Sequence, residues 1–350
     1  MPPLDLVVTG VGALSAVGLS PAEVAASVRS GTAMFSETAI MDRRFEPMVL
    51  AELPDDALPP LAESLADAGL TSREARMLRL AALPLRQALD ALPSGAAPPP
   101  LLLALPDAET TRPLDANRFL DALAVQVPGF DRGRSDARFR GRAGGLVAVA
   151  YADQLLRAGS PYVLAGGVDT FRDLYVLGTL DLEQRLKSQA NLDGFIPGEG
   201  AAFLLLATRA TASSNGARPL AAIPAIGGAR ETGHLYSDQP YRGDGLAQAI
   251  GSLVGNGGPG PVREVYSSMN GESHWAKEWG VAFLRNRPAF EEEHGMHHPA
   301  DCYGDTGAAA GPLMIALAAM GLRDGYRRSP CLVYASSDRD QRAAVLVNSV

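Results

Sequence analysis

Short apolar runs alternate with longer amphipathic stretches along this chain, a pattern typical of an α/β protein. The apolar runs predict strands at 6–9, 101–105, 162–170, 220–226, 264–268, 331–335 and 342–348. Apolar residues three and four positions apart predict helices at 72–92, 245–254, 275–285 and 308–322, and Ser20-Pro21 marks the start of another. Pro84 lies within the first of these patterns, so we expect it to kink or divide that helix. Residues 32–60 and the stretch after 285 are expected to be irregular.

The succession of strands and helices occurs twice, which indicates an internally duplicated fold. A polar turn at 210–219 separates the two occurrences. The sequence therefore predicts an N-terminal half at 1–211 and a C-terminal half at 212–350.

Five blocks occur in an order that resembles the β-ketoacyl-ACP synthases of the thiolase fold. They are DLVVTGVGALSAVGL near the start, GRAGGLVAVAYADQLLRAG followed by YVLAGGVDT, GFIPGEGAAFLLL, VYSSMNGES, and YGDTGAAAGPLMIALAAMGL. The resemblance extends from about Asp5 to the end of the chain. It implies a thiolase-like duplicated α/β fold with five layers, αβαβα, and a helix that begins at the first glycine of the second block.

The same resemblance implies that the catalytic side chains of that family are missing. It places the nucleophilic cysteine at Gly141 and the two histidines at Asn270 and Asp305. The family's lysine falls on Ala300, and its glycine-rich gating loop falls on 336–341, which reads SSDRDQ. Condensation needs a thiolate at a helix N-terminus and imidazoles that carry protons near neutral pH. We therefore expect no catalytic residues, no cofactor and no condensing activity.

A ketosynthase-like pseudoenzyme is expected to act as a binding or assembly module. Proteins of this degenerate kind resemble the co-chaperones of bacterial type VI secretion effector clusters, which implies a chaperone, adaptor or effector as the protein partner. Three alternatives remain open. In the first, the chain is a non-catalytic partner subunit of a ketosynthase in fatty acid or polyketide synthesis. In the second, it is an enzyme with altered chemistry around Asn270, Asp305 and Glu272. In the third, it is a sensor of acyl thioesters.

The strand that precedes Gly141 is unusually polar for this family, whose homodimers pair through it. Ser135 to Arg140 read SDARFR, and charges at alternate positions disfavour a buried pairing of two edges. A homodimer remains possible, but this strand argues against the family's usual one. Arginines are concentrated around it, and they form either a partner-facing patch or a solvated loop: Arg112, Arg118, Arg132, Arg134, Arg138, Arg140 and Arg142.

Composition limits the classes of partner and location. The 350 residues are 47% hydrophobic, enough for a large core, and the net charge of −8 argues against nucleic acid or an anionic membrane as partner. Two cysteines fit a reducing compartment. We expect no signal peptide and no membrane span, and hence a cytoplasmic protein.

The remaining polar clusters are interpreted as structural. His294, His297, His298 and Cys302 are close in sequence but lack the spacing of a complete zinc site, so no metal is expected. Cys302 is expected to be a buried structural cysteine, and a relocated nucleophile is the alternative. Carboxylates at Asp169, Asp193 and Glu199 are expected to accept hydrogen bonds from turn N–H groups and so tie two strands together. Trp275 and Trp279 are expected to pack in the core, and exposed anchors of a protein interface are the alternative.

Overall fold

The computed structural model of the protein describes residues 5–108, 114–254 and 260–350. The first half contains strands β1 (Leu6–Ser15), β2 (Ser36–Met41), β3 (Pro47–Leu50), β4 (Pro100–Leu105), β5 (Asp131–Phe139), β6 (Val163–Thr170) and β7 (Glu199–Thr208). Its helices are α1 (Pro21–Ser30), α2 (Ser72–Leu89), α3 (Ala116–Gln126), α4 (Gly144–Arg157), α5 (Leu174–Leu182) and α6 (Arg209–Ser214).

The remainder of the described chain repeats this rhythm. Its strands are β8 (Ala221–Arg230), β9 (Val262–Ser267), β10 (Phe290–His297), β11 (Cys331–Ser336) and β12 (Gln341–Asn348). Its helices are α7 (Asp244–Val254), α8 (Ser273–Asn286), α9 (Ala300–Tyr303) and α10 (Ala310–Arg323). The predicted boundary between residues 211 and 212 falls within α6, and the division of the chain there stays a prediction.

Ten of the described strands form one mixed sheet in the order β10-β9-β11-β12-β8-β1-β7-β6-β4-β5. Read outward from the junction of β1 and β8, and with the separate β2–β3 hairpin left out of the count, each arm has its strands in the order first, fifth, fourth, second and third. The junction is a short antiparallel register from Leu6 opposite Ile223 to Val8 opposite Ala221. The two arms are therefore two copies of one topology, as internal duplication implies.

Helices α4 and α10 occupy the same place in the two copies and lie between the two arms of the sheet, in one core cluster. They cross closely at two glycines. A methyl group added to Gly145 would lie 2.2 Å from Pro312 Cδ, and one added to Gly311 would lie 3.0 Å from Leu146 Cγ. Helices α2 and α3 cover the outer face of one arm, and α7 and α8 cover that of the other. This is the predicted five-layer order αβαβα.

Local capping explains where the first helices begin. The Ser20 side chain accepts from the Glu23 N–H at the start of α1, with Pro21 at the first helical position. Thr71 and Glu74 form a reciprocal capping box at the start of α2. Of the two effects expected of Pro84, division is wrong, because α2 continues through it to Leu89, and a kink stays a prediction. The helix is buried against β1, and tertiary packing of this kind outweighs intrinsic propensity.

The structure differs from the predicted elements in three further places. Strand β1 continues past Thr9 to Ser15, paired with β7 as far as Ser15 opposite Gly200. Gly12 within it allows close approach of α2, because a methyl group there would lie 1.8 Å from the Pro84 carbonyl oxygen. The stretch after residue 285 contains β10, a polar strand at the sheet edge that pairs with β9 alone among the described strands. Residues 32–60 contain the β2–β3 hairpin.

Among the described helices, none has the length and apolar character that a membrane crossing requires.

Candidate functional site

The positions that the resemblance assigns to catalysis converge at the N-termini of the two central helices. Gly141 opens a short 3-10 turn before α4, and Gly307 opens the corresponding turn before α10. Both glycines have left-handed backbone, with φ of 55° and 50°. Asn270 lies in the turn between β9 and α8, and Asp305 lies two residues before Gly307. The duplicated topology therefore brings three distant segments to one point.

Arg142, the residue after Gly141, fills this point with a guanidinium group. Its Nε donates to Asp305 Oδ2 at 2.7 Å, and further nitrogens pair with Asp305 and Asp338. Asn270 Nδ2 donates to the same Asp305 oxygen at 2.8 Å. Asp305 Oδ1 accepts from the Gly307 N–H at 2.8 Å, which ties it to the turn before α10. Both oxygens of Asp305 are thus engaged.

A second guanidinium, that of Arg185, extends the cluster. It donates to both oxygens of Glu272 at 2.8 Å and to Asp338 Oδ2 at 2.8 Å. Glu272 also accepts from Asn270 Nδ2 at 3.1 Å and from Trp275 Nε1 at 2.9 Å. Asp338 lies in the loop between β11 and β12 and bridges the two arginines. We call Arg142, Arg185, Asn270, Glu272, Asp305 and Asp338 the central ion-pair cluster.

The cluster is shielded from water. The side chains of Arg142 and Asp305 are 4% and 2% exposed, and the two guanidinium groups lie 5.3 Å from the Trp275 and Phe195 rings respectively. Burial alone lowers the pKa of Arg142, but the carboxylates of Asp305 and Asp338 outweigh it and hold that pKa above its usual range. Burial raises the pKa of Asp338, and the two arginines outweigh it and hold that pKa well below its usual range.

These properties restrict the chemistry of the cluster. A guanidinium group does not release its proton in proteins, so neither arginine can act as an acid or base near neutral pH. Asp338 is held ionised by both arginines, and a buried, fully paired carboxylate is a poor proton carrier. Gly141 contributes no nucleophile, and a side chain there would face Ser337, whose Oγ lies 3.4 Å from an added methyl group. The arrangement is a set of fixed charges.

The carboxylates of Asp169, Asp193 and Glu199 each accept a hydrogen bond from a backbone N–H, as expected. Asp169 accepts from the Ala308 N–H at 3.0 Å and pairs with Arg73 at 3.0 Å. Burial raises the pKa of Asp169 to about 6. Glu199 accepts from the Leu53 N–H and pairs with Arg76, and Asp193 caps α8 by accepting from the Ser273 N–H at 2.6 Å.

The histidines near Cys302 have separate partners. His297 Nε2 is 2.7 Å from Glu264 Oε2, and His298 Nδ1 is 3.2 Å from Ser267 Oγ. No group of three metal-ligating side chains occurs within the described residues. Cys302 is buried in the central core, and burial raises its pKa, whereas a nucleophile needs a lowered one. Ala300 lies at the start of α9.

The arginines around β5 do not form one group. Arg142 is buried in the central ion-pair cluster, so placing it in a surface patch or solvated loop is wrong. Arg112 lies outside the described residues. Arg118 lies on α3 and donates to the Ala68 and Gly69 carbonyls. Arg132, Arg134, Arg138 and Arg140 lie on β5 or directly after it, and β5 is the edge strand of the sheet, paired with β4 alone among the described strands. Trp275 is buried and Trp279 stacks on Tyr334 at 4.9 Å, so both pack in the core as expected.

Sequence reasoning missed Arg142, Arg185 and Asp338 as members of the site. For Arg142, the sequence contains a usable signal of a buried site. Arg142 stands inside the glycine- and alanine-rich segment that opens a buried helix, where an arginine needs a buried partner. In the sequence, Asp338 is recognisable only as part of a loop that lacks the family's glycines.

Comparisons with known proteins agree with this topology. No protein-family model matches the chain. Over 213 residues it is 29% identical to the actinorhodin polyketide β-ketoacyl synthase 2 of Streptomyces coelicolor, a segment that covers 55% of the chain and 50% of that relative. The chain thus matches about half the length of this curated relative.

Solved structures of ketosynthases superimpose over the whole chain. The ishigamide ketosynthase/chain length factor gives a TM-score of 0.79 at 16% identity, covering 100% of both chains. A type II polyketide synthase acyl-carrier protein in complex with its ketosynthase gives 0.78 at 14% identity, with the same coverage. The Streptomyces albus oxazolomycin ketosynthase domain gives 0.77 at 15% identity, covering 99% of this chain and 75% of that one.

The chain has a ketosynthase-like fold. At these identities the likeness establishes the fold and not the activity. The predicted thiolase-like α/β architecture is confirmed. None of these proteins is named for secretion, so the expected type VI secretion role has no support among them.

Proposed function

We propose that this chain is a non-catalytic, ketosynthase-like subunit that acts by binding a protein partner. The observation that carries the proposal is Arg142. Its guanidinium lies where three segments of the duplicated fold meet, and it is held there by Asp305 and Asp338. A substrate carbonyl at this point would meet fixed ion pairs and neither a thiolate nor an imidazole.

The partner we favour is a ketosynthase of polyketide or fatty acid synthesis. Two similar structures are described as a ketosynthase/chain length factor and as a ketosynthase in complex with an acyl-carrier protein. The curated relative is a polyketide β-ketoacyl synthase 2. A chain that shares this fold and lacks the nucleophile fits the non-catalytic member of such a pair.

A co-chaperone role in type VI secretion is the second candidate, and the polar edge strand β5 favours it. Pairing with a ketosynthase through the family's strand would bury the alternating charges of Ser135 to Arg140. A partner that binds elsewhere would not bury these charges, and a partner that carries opposite charges would compensate them. Both candidates require a protein partner and no turnover of acyl thioesters.

The test is an assay of the purified full chain with malonyl and acyl thioesters, on carrier protein and on coenzyme A, followed by mass spectrometry. We expect no decarboxylation, hydrolysis or condensation above the buffer rate. Asp305→Ala is the matched variant, because it opens the cluster without adding a nucleophile. Turnover by the unchanged chain that disappears in this variant would overturn the proposal.

Co-expression then separates the two candidates. Each neighbouring gene product is co-expressed with the tagged chain, and the stoichiometry of any complex is measured by native mass spectrometry. A one-to-one complex with an active ketosynthase supports the first candidate, and a complex with a secretion adaptor or effector supports the second.

A further inference from the structure

Exposed apolar side chains are concentrated in two segments of the first half. Seven of the eleven large apolar side chains that are exposed among the described residues lie at 34–45 and 174–192. Single exposed apolar residues are ordinary, whereas a contiguous group of them marks an interaction surface. The question is therefore whether the two segments meet.

They meet at the C-terminal end of α5. The Arg43 N–H donates to Asp181 Oδ2 at 2.9 Å, which holds the tip of the β2–β3 hairpin against this end of the helix. Asn191 Nδ2 donates to the Gln184 carbonyl at 2.6 Å, which returns the following loop to the same place. We call the exposed side chains beside these contacts and along α5 the apolar patch: Phe45, Leu174, Tyr175, Leu182 and Leu192.

Helix α5 is apolar on two opposite sides. One side is buried against the hairpin and contains Val176, Leu177 and Leu180. Because successive helical residues are turned by 100°, Leu174, Tyr175, Gly178 and Leu182 lie on the other side. Leu174 and Leu182 are each 72% exposed. A helix that is apolar all round is normally buried all round, so the exposed side of α5 has the composition of a surface that a partner covers.

Gly178 forms a notch in the middle of this exposed side. Outside the helix itself, no described atom lies within 4 Å of a methyl group added there. Within this protein, α4 and α10 cross closely because each has a glycine, Gly145 or Gly311, at the crossing point. Gly178 permits the same close approach to a backbone from outside. The shape of the patch therefore favours a helix as its occupant.

Phe45 projects from a fixed loop at the tip of the hairpin. Its side chain is 86% exposed and its φ is 65°, a left-handed conformation that bulky residues seldom adopt. Asp42 fixes the loop, because its Oδ1 accepts from the N–H groups of Arg44 and Glu46 and its carbonyl accepts from the Phe45 N–H. Glycine or asparagine would fit this position with less strain. An aromatic side chain held in water by a strained, fixed loop has the features of a preorganised anchor for a partner.

The surroundings of the patch are acidic. With Arg185 of the central ion-pair cluster left aside, the segments 37–46 and 173–193 carry seven carboxylates against three cations. None of the seven lies within 4 Å of a cationic nitrogen among the described residues. The hydrogen bonds of Asp181 and Glu183, for example, come from a backbone N–H and from the Tyr236 hydroxyl, which leave the charge uncompensated.

Four of these carboxylates line a hollow beside the patch, between the hairpin and residues 186–190. The hollow has a volume of about 290 Å³, and its charged residues are Glu37, Asp42, Glu46, Asp181, Arg44 and Lys187. A lysine or arginine side chain from a partner would meet an excess of negative charge there. Charge complementarity therefore favours a partner with basic residues beside its apolar surface.

We infer that the apolar patch binds an amphipathic helix of a partner protein, whose apolar face crosses α5 at Gly178 beside Phe45 and whose flanking lysines or arginines face the surrounding carboxylates. Burial of the apolar side chains supplies affinity, and the basic flanks select the partner. The inference rests on the proposed function, because a non-catalytic subunit acts through the protein that it binds.

A second copy of this chain is a poor occupant of the patch. A two-fold contact sets the same surface of both copies against itself, so it would bring the acidic surroundings of one patch against those of the other. An anionic membrane is disfavoured for the same electrostatic reason. A basic helix reverses the sign of this interaction.

The test uses a fluorescein-labelled 18-residue helical peptide with Leu along one face and Lys on both flanks. Matched peptides carry Glu in place of Lys, or the same residues in an order that breaks the apolar face. Binding to the full chain is measured by fluorescence anisotropy, and protection of 42–46 and 174–182 is measured by hydrogen exchange. We expect the Leu–Lys peptide to bind most tightly, to weaken with added salt, and to protect both segments.

Two variants test the anchor and the notch. Phe45→Gly should bind the Leu–Lys peptide roughly tenfold more weakly, a change of about 1.4 kcal/mol. Because glycine relieves the left-handed backbone at this position, the variant should fold at least as stably as the unchanged chain, so weak binding is not a sign of misfolding. Gly178→Gln fills the notch with a polar side chain and should weaken binding to a similar extent.

The control variant is Leu284→Ser on α8, which removes a side chain that is 74% exposed from another surface and should bind normally. Unchanged binding by Phe45→Gly, or equal affinity for the Lys and Glu peptides, would overturn the inference. So would a concentration-dependent homodimer, or attachment to phosphatidylcholine vesicles, that Phe45→Gly abolishes. Thioester turnover is measured separately, so failure of the proposed function is recognised independently of peptide binding.

Discussion

Arg142 and Asp305 form a buried ion pair between the N-termini of two helices that occupy the same place in the two copies of the fold. The Nε to Oδ2 distance is 2.7 Å, and both side chains are at most 4% exposed. In each copy, this location presents the free N–H groups of a helix start, which favour a negative charge. Asp305 accepts one of them, and Arg142 compensates its charge. The pair therefore joins the two copies at the position where related enzymes are expected to hold their reacting groups.

Replacing Arg142 should be strongly destabilising. Arg142→Met keeps most of the side-chain volume but leaves Asp305 and Asp338 buried with only Arg185 to compensate them. Removing one partner of a buried ion pair costs about 3–5 kcal/mol. The free energy of unfolding, measured by urea denaturation, should fall by about this amount.

Arg138→Met is the matched control, because Arg138 pairs with Asp136 at the surface and its side chain is 65% exposed. Surface pairs contribute about 0–1 kcal/mol. A similar small loss for both variants would mean that Arg142 is not compensating buried charge.

Restoring a thiol at the helix start should not restore activity. In Gly141→Cys the new side chain has ordinary contacts, since an added methyl group is no closer than 3.4 Å to other atoms. Its φ of 55° is strained for other residues, so we expect a loss of about 1–2 kcal/mol in stability. Malonyl thioester decarboxylation should stay at the buffer rate, because Asn270 and Asp305 supply no imidazole. A rate increase in this variant would show that the surrounding residues still support catalysis.

The fold was largely predictable because its signals are local. Apolar runs mark the buried strands, and Ser20-Pro21 and the glycine-rich turns mark element ends. What failed depended on distant contacts. In the sequence, Gly12 belongs to a glycine-rich stretch that indicates the end of a strand, yet in the fold it is a point of close approach to α2. Pro84 is tolerated inside a helix that the core holds in place.

The site was only half predictable for a related physical reason. Positions such as Gly141 and Asp305 are found by their spacing within recognisable blocks. Arg185 and Asp338 are ordinary charged residues in their local sequence, and nothing near them indicates burial. Only the folded chain brings them within 2.8 Å of each other.

The contact between α4 and α10 predicts opposite effects of the same substitution at two helical glycines. Gly145→Ala would place a methyl group 2.2 Å from Pro312, so the helices must separate and the protein should lose about 1–3 kcal/mol. In α5, Gly178 faces open space, and Gly178→Ala should stabilise the chain by about 0.4–1 kcal/mol. Thermal and urea unfolding of both variants test this. Equal effects at the two positions would contradict the close crossing of the central helices.

Burial of Asp169 predicts an unusual pH dependence between the usual aspartate pKa of 3.8 and the raised value of about 6. In this window the folded protein retains a proton that the unfolded chain has lost. Stability from this group is therefore greatest below pH 3.8 and falls as the pH rises to about 6, by up to about 3 kcal/mol. Asp338, whose pKa is lowered, acts with the opposite sign, and its contribution to stability is lost only as the pH falls below 3.8.

The free energy of unfolding, measured with urea from pH 4 to 7, should fall less steeply with pH in Asp169→Asn than in the unchanged chain. Parallel pH profiles for the two proteins would contradict the raised pKa.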